Sequence, residues 1–183
     1  WNLLRNDAAV PHDGRYLTDA LNDEAITFIR EHGAKPFALW LAHHAPHGPL
    51  QAPEALVQKY EKRLGKDASK AVAVTYAMIE AMDTGLARVF QTLKDDGLWE
   101  KTIIVFTSDN GPVLRRDAEL GSQMRFNGAF SGEKESILEG GIRVPGIVAW
   151  PGHIPGGRVE STPVHGCDWL PTLYSLAGKS APV

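Results

Sequence analysis

Ile103-Ile104-Val105-Phe106-Thr107-Ser108-Asp109-Asn110-Gly111 is a β-branched, apolar run that stops abruptly in a carboxylate, an amide and a glycine. Four consecutive apolar side chains, Ile103 to Phe106, suit a strand covered on both faces, as the parallel strands of α/β proteins are. Ligand sites in such sheets lie beyond the carboxyl ends of the strands. Asp109 and Asn110 set a charged and a neutral oxygen side by side, the hard donors that calcium or magnesium takes, and Gly111 lets the backbone turn sharply. Asp-Asn-Gly after a strand is also ordinary turn chemistry, so the local sequence leaves both readings open.

Moving upstream, Val72, Tyr76, Ile79, Leu86, Phe90 and Leu93 recur every three or four positions between about Asp67 and Asp96, which predicts a long amphipathic helix stopped by Gly97. Asp83 falls on that stripe, where a carboxylate needs a hydrogen-bond partner, and it is expected to hold a neighbouring element. Leu21, Ala25, Phe28 and Ile29 share a face in an earlier helix that opens at Thr18 and stops at Gly33. Phe37 to Ala42 is short, apolar and bounded by Pro36 and a His/Pro/Gly loop, which predicts a second buried strand. That loop, Ala42 to Pro53, carries His43, His44 and His47, stiffened by Pro46, Pro49 and Pro53.

Downstream, Pro112 to Gly141 is a long, charged segment without periodicity, the kind of loop that is usually functional or mobile. Ile142 to Trp150 predicts a third strand, and Asp168 to Gly178 a final helix with Asp168 favourably placed for its dipole. Helices alternating with strands indicate an α/β layered architecture.

The chain has 183 residues, 43% hydrophobic and 22% charged, with a formal net charge of -3, enough for one real core and a globular class. Its 19 basic and 22 acidic residues are interspersed, which gives no footprint for nucleic acid and no polybasic face for a membrane. A small or sugar-like substrate fits better. The longest wholly apolar run, Phe37 to Ala42, is far short of a spanning helix. Cys167 stands alone and excludes an internal disulfide. The sequence opens at Trp1 without a methionine, so a leader or a larger N-terminal part is expected ahead of it.

Five motifs, Ala45-Pro46-His47-Gly48-Pro49-Leu50, Phe106 to Gly111, Gly132-Glu133-Lys134 through Glu139-Gly140-Gly141-Ile142-Arg143-Val144-Pro145, Trp150-Pro151-Gly152 and Asp168 to Leu173, occur in an order that resembles type I, arylsulfatase-like sulfatases. The match spans Tyr16 to Gly178 and is similar to the second half of that family's catalytic domain, so residues 1–183 are expected to be the C-terminal part of such a domain. The resemblance implies an alkaline-phosphatase-like α/β sandwich, a mixed, mostly parallel sheet between helical layers. It also implies a calcium ion beside a formylglycine nucleophile made from Cys or Ser, with magnesium a possible substitute.

On that resemblance Asp109 and Asn110 are metal ligands, His47 is a sulfate ligand and proton donor to the departing alcohol, and Lys134 binds sulfate and neutralises its charge. His43 and His44 stay unassigned. Glu139, Gly140, Gly141 and Arg143 are read as scaffold, with the arginine tying the loop. Many members carry Arg-Gly-x-Lys-Gly where this chain has Ser131-Gly132-Glu133-Lys134-Glu135, and the two glutamates weaken the local positive field. No Cys-x-Pro-x-Arg or Ser-x-Pro-x-Arg motif occurs, so the nucleophile and the remaining metal ligands are expected in an N-terminal half outside this sequence, and the chain alone is expected to be inactive. The substrate implied is a small sulfate ester or a sulfated glycan, and the compartment implied is periplasmic, secreted or lysosomal. A phosphodiesterase or phosphonate hydrolase of the same superfamily, and a non-catalytic glycan-binding or complementing module, are the alternatives.

Overall fold

The computed structural model describes residues 3–113, 116–117, 121–122 and 127–180. In chain order these form β1 (Leu3–Arg5), β2 (Ala8–Val10), α1 (Leu17–His32), α2 (Glu54–Leu64), α3 (Lys70–Asp95), β3 (Ile104–Thr107), β4 (Arg116–Asp117), β5 (Gly121–Ser122), α4 (Glu139–Ile142), β6 (Gly146–Ala149) and α5 (Trp169–Leu176). The other parts of the Pro112 to Gly141 segment, residues 114–115, 118–120 and 123–126, lie outside the described residues.

The long helix α3 is the spine. One end packs Val74, Ala77 and Met78 against Val57 of α2 and Ala45 of the histidine loop. The other end packs Val89 and Leu93 against Ala25 and Ile29 of α1, with Phe37, Leu41 and Ile104 closing over them. Because α3 is gripped from two sides, its buried positions are mostly small: Ala73, Ala77, Ala81 and Gly85 are buried, while Ile79 is exposed. Of the predicted stripe, Val72 and Leu93 are buried, Tyr76, Leu86 and Phe90 are half-buried, and Ile79 alone of the six is exposed, so the stripe marks the packed face with one exception. Asp83 is exposed and holds no other element among the described residues, so the structural role expected of it is not found there.

α1 buries Thr18, Asn22, Ala25 and Ile29, a face with two polar members. Gly33 ends it in an ordinary right-handed conformation. What it supplies is close approach, because a Cβ there would stand 2.8 Å from both Ile29 O and Leu98 Cδ1. α2 was not anticipated from the sequence, where the prolines and glycines before it mask its short apolar face of Leu56, Val57 and Tyr60.

β3 pairs antiparallel with β6, Ile104 opposite Ala149 and Thr107 opposite Gly146. β1 with β2 and β4 with β5 are also antiparallel, so the parallel neighbours of a mostly parallel sheet are not among the described strands. Nor is β3 covered on both faces. Ile104 and Phe106 face the helices half-buried, while Val105 and Thr107 are exposed. The second predicted strand is corrected too. Phe37 to Ala42 is irregular and unpaired, anchored through Phe37 and Leu41 in the α1/α3 core, with Trp40 91% exposed. An apolar run becomes a strand only where a neighbour supplies ladder hydrogen bonds. The third predicted strand is shorter than expected, because Ile142 belongs to the α4 turn. Trp150, just after β6, donates from Nε1 to Glu100 O at 3.3 Å and ties the ribbon to the turn before β3.

Candidate active site

Because Thr107 stands opposite Gly146, the carboxyl end of β3 faces the segment that leads from α4 into β6. The chain leaves β3 through Ser108, Asp109 and Asn110 and is caught at once: Gly111 N donates to Gly141 O at 2.8 Å. Gly111 is required by space, since a Cβ there would overlap Gly140 O. Pro112 O then accepts from Lys134 N at 2.9 Å. These two main-chain bonds bring the Lys134 loop to the turn that carries Asp109 and Asn110.

Asn110 Nδ2 donates to Gly111 O at 3.0 Å, which fixes the amide and leaves Oδ1 as its outward acceptor. Asp109 Oδ1 receives only a long contact, 3.4 Å, from Ser108 Oγ. Both oxygens are therefore available. The donors are of the kind calcium or magnesium prefers, but they are two, where calcium takes about six to eight. Among the described residues no group of three or more His, Cys, Asp or Glu side chains could hold a metal. The pair fits part of a divalent-cation site.

The Lys134 loop is knotted around Asn127, a buried residue of the aperiodic segment that no sequence pattern singles out. Its Nδ2 donates to Gly132 O at 2.8 Å and, more loosely, to Gly140 O at 3.4 Å. Gly140 N closes the knot on Ser131 O at 2.7 Å. Arg143 ties the far side as expected: Nη1 meets Glu139 Oε2 at 2.8 Å and the guanidinium lies over Phe130, 4.7 Å from the ring centroid. Glu135, beside the candidate lysine, is in the left-handed region with φ +75°. The resemblance implies glycine at this position in many members, and here a side chain stands where the backbone favours none.

His47 is held from a different direction. Its Nδ1 lies 2.7 Å from Gly48 O and, since a carbonyl only accepts, Nδ1 carries the proton and Nε2 is left to act outward. His44 Nε2 donates to the same carbonyl at 3.1 Å, and the two rings lie 5.2 Å apart by centroids. The loop is anchored by the buried Ala45, by Tyr16 Oη donating to Gln51 O at 2.8 Å, and by His43. The described hydrogen bonds thus join Lys134's loop to Asp109 and Asn110, while those of His47's loop run to α1 and to its own turn. Asp168 is structural, as read: its Oδ2 accepts from His165 N at 2.7 Å while His165 Nδ1 accepts from Cys167 N at 3.2 Å, a reciprocal cap on the 3-10 turn Gly166–Asp168 that leads into α5.

A family model described as Sulfatase matches residues 2–179. The chain is 33% identical over 183 residues to a protein named as the uncharacterized sulfatase YdeN of Escherichia coli strain K12, covering 99% of this chain and 31% of that protein. It is 35% identical over 185 residues to the steryl-sulfatase of Mus musculus, covering 98% of this chain and 28% of that one. The chain thus spans about a third of the length of these relatives. Among solved structures, Ps i-CgsB in complex with k-i-k-neocarrahexaose superposes with a TM-score of 0.81 at 36% identity, covering 97% of this chain and 37% of that one. The match runs through every motif described above, and the chain belongs to the sulfatase family, carrying part of its alkaline-phosphatase-like α/β fold.

Proposed function

We propose that the intact protein is a sulfuric ester hydrolase and that this chain forms the C-terminal part of its catalytic domain, the remainder supplying the formylglycine. The observation that carries the reading is the Lys134 N to Pro112 O bond of 2.9 Å, which seats the lysine-bearing loop against the turn holding Asp109 and Asn110. Asp109 and Asn110 would give two oxygens to calcium, or magnesium in its place, and such an ion, when bound, would supply Lewis-acid polarisation of the sulfate oxygens. Lys134 neutralises charge on the nonbridging oxygens. His47, with Nδ1–H committed to Gly48 O, binds the ester through Nε2 and, when protonated there, passes that proton to the alcohol oxygen as the S–O bond breaks.

The substrate is a sulfated glycan or a smaller sulfate ester. The similar structure that holds k-i-k-neocarrahexaose supports the glycan. No helix among the described residues is long and apolar enough to cross a membrane, and the compartment we propose is periplasmic, secreted or lysosomal.

The test is turnover of 4-nitrophenyl sulfate and of the matching phosphate mono- and diesters by the intact protein. Sulfate is expected to be preferred, chelation to lower the rate, and His47→Ala and Lys134→Ala each to cost about 10²- to 10⁴-fold in kcat/KM. Faster phosphodiester cleavage would move the protein to another activity of the superfamily, and unchanged variants would overturn the site assignment.

A further inference from the structure

The most deeply buried polar side chain of α1 has no part in the chemistry described so far. Asn22 is 0% exposed, and its Nδ2 donates to Thr18 O at 2.8 Å. That bond fixes which way the carboxamide faces, leaving Oδ1 directed at His43 Nε2, 3.2 Å away. Because Oδ1 can only accept, His43 Nε2 must carry a proton. Burial lowers the pKa of His43, which keeps the ring neutral in that tautomer.

The cavity that admits the carboxamide comes from a third element. Gly85 of α3 packs directly on Asn22, and a Cβ at Gly85 would stand 2.5 Å from Asn22 Cγ and overlap Nδ2. Glycine inside a long helix costs stability relative to alanine, and a buried amide–imidazole pair contributes little net stability over apolar groups of the same shape. What the pair supplies is direction. His43 lies four residues before His47, Ala45 between them is sunk in the α2/α3 core, and His47 N closes the turn on His44 O at 2.8 Å.

We propose that Gly85 and Asn22 are positioning residues for His47, acting through the hydrogen bond from His43 Nε2 to Asn22 Oδ1 and the turn that follows it. The proposal rests on the reading of His47 as the group that meets the ester. The helix pair sets the origin of the turn, and the turn sets the imidazole.

The experiment uses the intact protein with 4-nitrophenyl sulfate turnover, thermal unfolding, and ¹⁵N-detected imidazole resonances of His43 and His47. Asn22→Ala and Gly85→Ala are each expected to lower kcat/KM by about ten- to a hundred-fold, the range that sub-ångström to ångström misplacement produces, and to shift the His47 resonances. Asn22→Ala combined with Gly85→Ala removes the overlap, so the unfolding midpoint recovers relative to Gly85→Ala while activity stays low. His43→Gln keeps a nitrogen donor for Asn22 Oδ1 and retains activity within a few-fold, whereas His43→Leu does not. Recovery of activity with stability in the double variant, equal activity of His43→Gln and His43→Leu, or unmoved His47 resonances in Asn22→Ala would each overturn the proposal. Absence of sulfate-ester turnover in the unsubstituted protein would overturn the proposed function alone, because the resonances still read whether Asn22 places His47.

Discussion

Replacing Glu135 with glycine should make the protein more stable. Glu135 has φ +75° beside the half-buried Lys134. A residue with a Cβ held in the left-handed region costs about 1–2 kcal/mol, and glycine returns about 0.5–1 kcal/mol of that through its greater freedom in the unfolded chain. The net gain for Glu135→Gly is therefore about 0.5–1 kcal/mol. Alanine at the same position keeps the Cβ and removes the charge, so Glu135→Ala isolates electrostatics from backbone strain, and Glu135→Asn, which tolerates this conformation, should fall between. Urea unfolding of the intact protein should rank Gly above Asn above Ala, with Ala close to the original residue. In turnover, Gly and Ala should behave alike, each lowering KM for an anionic ester because each removes a carboxylate next to Lys134. Equal stabilisation by Gly and Ala would refute the conformational argument, and a KM unchanged in both would refute the electrostatic one.

Gly111→Ala forces a methyl into Gly140 O and weakens the Gly111 N to Gly141 O bond; overpacking of this kind costs about 1–3 kcal/mol, measurable by urea unfolding, with metal affinity falling alongside as the Asp109 turn shifts. The His43 imidazole, held by burial below its ordinary 6.5, makes stability depend on pH. As pH falls past 6.5 the unfolded chain takes up a proton that the folded one refuses, so the contribution is complete above that point and drains away toward the lowered folded value. Melting compared at about pH 7.5 and about pH 5.5 should show a larger loss for the original protein than for His43→Gln.

Much of this fold could be read from single elements whose signal is local. The β-branched run before Asp109 does form a strand, the 3.6-residue rhythm does mark α3, and the order of the motifs around His47, Asp109 and Lys134 does identify the family. What escaped is whatever depends on a partner distant in sequence. Phe37 to Ala42 has a strand's composition and no ladder neighbour among the described residues. The α3 interface also takes in Ala77, Ala81 and Gly85, small residues that a count of large side chains does not mark. Asn22, inside the predicted first helix, and Asn127, in the aperiodic segment, carry no pattern that marks them, yet each is a buried amide that joins segments otherwise apart, Asn22 to His43 and Asn127 to Gly132 and Gly140. The loops that carry Lys134 and His47 are likewise held by long-range bonds, Lys134 to Pro112 and Tyr16 to Gln51.

The backbone from Phe37 to Ala42, which pairs with no strand among the described residues and carries the exposed indole of Trp40, and the outer faces of β3 and β6, where Val105 and Ile147 are exposed, have a practical consequence. Free amide rows flanked by apolar side chains template the addition of any further strand, including one from a neighbouring molecule. Produced as this polypeptide by itself, the material should therefore self-associate at rising concentration and be lost to inclusion bodies. A charged residue placed at Trp40 should raise the soluble yield of this polypeptide.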